Sequence, residues 1–164
     1  EVLRGMPEAA AAATPAETPR RLTAVCASDG LSEFVPWAAE ITDLKPNMVL
    51  AGLAGASLGA EGPVSVAVER FGLAQTFTVP PGRSLSAVTA TEDAPALRVR
   101  DLRGTPLASV AMGAEAVPVL TIAEDGAGLS ITLECAAGAL DANAAIRLLT
   151  DFAGRMEQPL RHLL

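Results

Sequence analysis

The hydrophobic period of this chain changes from helical to alternating near residue 60, and few folds accommodate that. Before the change, Met48, Leu50, Leu53 and Leu58 recur at helical spacing among small residues. After it, Val64, Val66 and Val68 alternate with Ser65, Ala67 and Glu69, as a strand with one buried face requires. Phe71-Gly72 reads as a turn, Leu73 to Val79 as a second strand, and Pro80-Pro81-Gly82 as its end. Helices and strands that alternate in this way must share one core. The pattern predicts an α/β domain of the two-layer α+β sandwich type, a mixed sheet with flanking helices.

The remaining segments fit the same plan. Leu22 to Cys26 reads as a strand closed by an Asp29-Gly30 turn. Leu31 to Ile41 has mainly helical spacing, interrupted by Pro36. Thr42-Asp43 is expected to cap the next helix, with Pro46 in its first turn. A short helix is expected near Leu85 to Thr89. Leu97 and Val99 mark a strand whose other side carries Arg98, Arg100 and Arg103, read as a solvated or ion-paired face. Val117 to Ile122 and Leu129 to Cys135 form a hairpin through Asp125-Gly126-Ala127-Gly128. Asp141 is expected to cap a helix to about Gln158, burying Ile146, Leu149, Phe152, Ala153 and Met156 before Pro159 stops it. Residues 1–20, rich in alanine and proline, read as a linker or arm, and 21–164 as one domain. The chain begins at Glu1, so it is expected to be a piece of a longer or processed protein.

Composition narrows the function. A net charge of −7, with one lysine, argues against general nucleic-acid binding. No apolar run reaches the ~20 residues of a membrane-spanning helix. Cys26, Cys135 and the single histidine, His162, are too few for a tetrahedral zinc site, and two free buried thiols are expected. No glycine-rich phosphate loop follows a strand. The catalytic inventory is thin: any Ser-His or Cys-His pair must use His162, itself read as a helix-end or surface residue.

A resemblance enters at the C-terminal third. Leu129 to Cys135, Asp141, the following helix and the Gln158-Pro159-Leu160 ending with Leu163-Leu164 resemble the end of the catalytic core domain of the dihydrolipoyl acyltransferases of 2-oxo acid dehydrogenase complexes. Ile41 to Leu58, Val64 to Val68 and Ser84-Leu85-Ser86 are similar to earlier family segments, in the right order. The resemblance covers about two-thirds of the chain and implies a compressed chloramphenicol acetyltransferase-like fold. In the family a cysteine ends the strand and a D-H-R-x-x-D-G motif follows, whose histidine is the general base. Cys135 and Asp141 match. The histidine position is Ala137, the arginine position Gly138 and the glycine position Ala142. Losing a positioned base removes ~10²- to 10⁴-fold of rate.

The resemblance therefore implies a pseudoenzyme of the protein X (dihydrolipoyl dehydrogenase-binding) type. Such a chain is a trimeric scaffold that joins the acyltransferase core, in a mitochondrial matrix or bacterial cytoplasm. It recruits dihydrolipoyl dehydrogenase through upstream domains. No cofactor is expected in this domain; a lipoyl group belongs upstream. Leu160, Leu163 and Leu164 are candidate subunit contacts. The alternative is an active or coenzyme A-binding acyltransferase domain using His162 or Cys135.

Overall fold

The computed structural model describes residues 19–82, 84–113 and 115–163, without the Leu163 side chain. Alternating apolar residues form a seven-stranded mixed sheet of β1 (Arg20–Ala27), β2 (Val64–Arg70), β3 (Leu73–Val79), β4 (Thr89–Ala90), β5 (Leu97–Asp101), β6 (Val119–Asp125) and β7 (Gly128–Cys135). Its order is β1-β7-β6-β5-β2-β3-β4. The β5 strand is parallel to β2 and β6, and the other neighbours are antiparallel. Helices α1 (Asp29–Thr42), α2 (Pro46–Leu58) and α3 (Ala142–Glu157) share one core with the sheet, and a short α4 (Pro159–Leu163) follows. The expected α/β sandwich is the observed fold.

The register sets the two faces of the sheet. Leu97, Val99, Leu120, Ile122, Ile131 and Leu133 are aligned across three strands and fully buried beneath the helices. Between them, Glu69, Arg98, Arg100, Thr121, Thr132 and Glu134 point to the helix-free face. The α2 helix sits close because it carries glycines. A Cβ at Gly52 would lie 2.4 Å from Leu85 Cδ2, and one at Gly55 2.8 Å from the Val79 side chain.

Several local expectations are corrected by packing. Asp29-Gly30 is not a turn; it opens α1, and a Gly30 Cβ would stand 2.3 Å from the Glu157 carbonyl oxygen. The α1 helix is continuous through Pro36. The ring removes the hydrogen bond to the Ser32 carbonyl, but both positions are exposed, so no polar group is left buried by the loss. Asp43 does not cap the second helix. It ends the first in the left-handed region (φ 59°), and Lys45 stands before Pro46 at the start of α2. The expected helix near Leu85 is a 3₁₀ turn, Leu85–Ala87.

In α3 the buried stripe is Ala145, Leu148, Leu149, Phe152, Ala153 and Met156, and Ile146 is exposed, one position off that stripe. Pro159 ends α3 but also begins α4, where its fixed φ suits a first helical position. The linker expectation for 1–20 falls almost wholly outside the described residues, although Arg20 already belongs to β1. No helix among the described residues is long and apolar enough to cross a membrane.

Candidate functional site

The loop 136–141, where the resemblance places its motif, leaves the sheet at the end of β7. Arg20 Nε donates to the Leu140 carbonyl at 2.9 Å, tying the start of β1 to this loop. Asp141 accepts from the Ala144 amide at 2.7 Å and so caps α3, as its position predicts. Ala137 is half-buried; Gly138 and Ala142 are exposed, and nothing lies within 4 Å of where a Gly138 side chain would begin. The motif positions thus keep their place and the capping role while presenting no ionisable side chain at 137 or 138.

Beside this loop is a cavity of about 350 Å³ on the helix-free face. Pro19, Arg100, Met112, Glu115, Glu134, Cys135 and Ala136 are among its walls. The irregular segment between β5 and β6 supplies Met112 and Glu115. Arg100 anchors the cavity. Its Nη2 donates to Glu115 at 2.8 Å and its Nε to Glu69 at 3.3 Å, while Arg98 reaches the same Glu69 at 3.5 Å. Burial lowers the Arg100 pKa, but the two carboxylates outweigh it and leave the guanidinium above its ordinary value. The expected ion-paired reading of Arg98, Arg100 and Arg103 holds. Arg103 pairs with the buried Asp101, which Arg70 also contacts at 2.8 Å.

The two cysteines are free. Cys26 pairs with Leu129 and Cys135 with Arg20 in the β1–β7 ladder. Six residues of strand separate them, ~20 Å, far beyond the ~7 Å limit between the Cα atoms of a disulfide. Burial, opposed by the Arg20 charge, pushes the Cys135 thiol up. Burial, helped by the Glu157 charge, raises Cys26 to about 11. Cys135 is buried as expected, whereas Cys26 is only half-buried.

His162 is at a helix end, as expected, but the surface alternative is corrected: it is buried on α4, hydrogen-bonded to Arg155. It stands at the far end of the domain from Cys135. The Glu157 carboxylate, which shares a cavity with His162, accepts from the Ala27 amide at 2.8 Å, at the opposite end of β1 from Arg20 and Cys135. The sequence-derived candidates Cys135 and His162 are therefore not brought together within one chain. Leu160 is exposed, whereas Leu164 and the Leu163 side chain lie outside the described residues. Sequence reasoning missed Arg100, Glu115 and Glu134 as one site. Only the charge alternation in β5 hinted at it.

The fold is similar to solved acyltransferase cores. A truncated catalytic core of the 2-oxoacid dehydrogenase multienzyme complex from Thermoplasma acidophilum matches with a TM-score of 0.60 at 13% identity, over 96% of this chain and 95% of that one. A probable dihydrolipoamide acetyltransferase from Listeria monocytogenes matches at 0.57 and 9% identity, over 96% and 92%. A chloramphenicol acetyltransferase matches at 0.54 and 8% identity, over 85% and 89%. No protein-family model and no curated protein matches the chain. At these identities the likeness is one of fold, and it is the chloramphenicol acetyltransferase-like fold expected from the sequence.

Proposed function

We propose that this chain is a non-catalytic structural component of a 2-oxo acid dehydrogenase complex, of the protein X type. In this reading the domain is a trimer that joins a dihydrolipoyl acyltransferase core. Domains outside this chain carry the lipoyl group and recruit dihydrolipoyl dehydrogenase. The observation that carries the reading is Ala137. Acyl transfer to a thiol needs a base within hydrogen-bond reach of the thiol proton, and a methyl group cannot take a proton.

The surroundings support it. Arg100 and Glu115 in the adjacent cavity are paired to each other. The Cys135 thiol is pushed up by burial, which leaves little of the nucleophilic thiolate near neutral pH. His162 is held at the other end of β1. The fold is that of acyltransferase cores, one of them the core of a multienzyme complex. Assembly needs matching surfaces and not a base, so a chain of this fold without the motif histidine is compatible with a scaffold role.

Two measurements test this. Native mass in solution should be three times that of the chain, and the trimer should enter an acyltransferase core assembly on mixing. Acetyl transfer from acetyl-coenzyme A to dihydrolipoamide should stay at background. A monomer that ignores the core, or activity that disappears in His162→Ala, overturns the reading. Heat on titration with coenzyme A, without transfer, would favour a binding module instead.

A further inference from the structure

A second cavity, about 660 Å³, lies away from the motif loop, between α1 and the α3–α4 junction. Gly30, Phe34, Trp37, Pro159 and Leu160 give it an apolar lining. Its lips are unusual for an acidic, water-facing surface: Trp37 is 44% exposed and Leu160 58%. The Trp37 ring leans on the buried Phe34 ring, centroids 5.7 Å apart, so it stands as a supported wall. Ile41, 61% exposed, extends the apolar strip by one more helical turn.

The charge around the groove has one dominant sign. Glu33 lines it, and Glu40 stands seven residues on, with Trp37 between them at helical spacing on the same face of α1. Glu157 lies on the opposite wall, and among the described residues Arg161 is the one cation in the lining. The carboxylates do not converge on a point: Glu157 is engaged by the Ala27 amide, and Glu33 is exposed. A small ligand needs convergent polar groups in a closed pocket. An apolar trough that runs along α1 from Gly30 to Trp37, with acidic rims, has the form of a helix-in-groove site.

From the apolar strip and its acidic rims we infer that this groove docks an amphipathic, basic helical segment of another protein. Apolar side chains at i, i+3 and i+7 would enter between Trp37 and Leu160, and lysine or arginine would flank them opposite Glu33 and Glu40. The site is independent of the missing base at Ala137, and beside the scaffold reading it requires that Leu160, also a candidate subunit contact, stay uncovered in the assembly.

Trp37 is the only tryptophan, so its emission reports the groove directly. The probe is a synthetic helical peptide of about eighteen residues, five turns, with leucine on one face and lysine on the other. Its control carries glutamate in place of every lysine. The lysine peptide should shift Trp37 emission to the blue, saturably, and the glutamate peptide should not. Glu33→Lys with Glu40→Lys should weaken the lysine peptide about tenfold or more, as rim charges do when several act together. Both sites are exposed, so native mass and circular dichroism should stay unchanged, which separates this result from any failure of the scaffold reading. The inference is overturned if neither peptide shifts Trp37, if both bind equally, or if the charge reversal changes nothing. It is also overturned if Trp37 emission depends on protein concentration and the peptide cannot compete, because a second copy then covers the groove.

Discussion

The two faces of the sheet solve the same problem by different physics. Beneath the helices, Leu97, Val99, Leu120, Ile122, Ile131 and Leu133 are removed from water and belong to one apolar core. That burial is non-directional and scales with area. On the other face the same strands carry Arg98 and Arg100 against Glu69 and Glu115, and Thr23 against Thr132 at 3.0 Å. These contacts are directional: Arg100 finds two carboxylates, whereas the buried Arg98 Nε has no partner. The covering layers differ accordingly: three helices on one face, and on the other an irregular segment that brings Met112 and Glu115 over Arg100. A face built on area carries most of the stability. A face built on paired charges adds less, but it can hold a cavity.

The sharpest test of that contrast is Phe152→Ala. Phe152 is fully buried in α3, and its loss should cost ~3–5 kcal/mol, read as a fall in the urea midpoint. A smaller loss would mean that the helix layer is not the main source of stability. Overpacking the same face comes next. Gly55→Ala places a methyl 2.8 Å from Val79 and should cost about 1–3 kcal/mol, whereas Gly62→Ala, with nothing within 4 Å, should be near neutral.

On the polar face, Arg100→Met should cost only about 1–2 kcal/mol, because Glu69 and Glu115 retain enough exposure to be rehydrated. Adding Glu115→Gln should recover part of the loss. A cost equal to that of Phe152→Ala would break the comparison. The smallest effect is a pH dependence. The Cys26 thiol has a folded pKa of about 11 against 9.0 ordinarily, so its protonated form favours the fold. Its contribution is complete below pH 9 and is lost as pH rises through 11. The difference in stability between the protein and Cys26→Ala should therefore be flat below pH 9 and change only above it.

Much of this was legible along the chain because period-two and helical patterns mark buried faces without knowledge of partners. The β2–β3 pair, the β6–β7 hairpin and the Asp141 cap follow from local rules alone. Where local rules failed, a distant contact had won. Gly30 looked like a turn glycine, but its missing side chain lets α1 abut the end of α3. Ile146 looked like a core residue, but the stripe that fits β1 and α2 starts at Ala145. His162 looked peripheral, and α4 folds it inward against Arg155. The candidate site was half legible: an alanine at 137 can be read directly, but the Arg100–Glu115 wall cannot, since it joins a strand to a loop through register.

By itself the sequence determined most element types and apolar faces, the acidic balance and the absence of an imidazole at position 137, because each depends on residue identity and near neighbours. Only the tertiary structure decided the separation of Cys135 from His162, the pairing of Arg100 with Glu69 and Glu115, and the open groove beside Trp37. Those depend on which strands lie side by side and which helix ends meet. Such contacts between residues far apart in the chain are chosen by the packing of the whole core, and no local pattern encodes them.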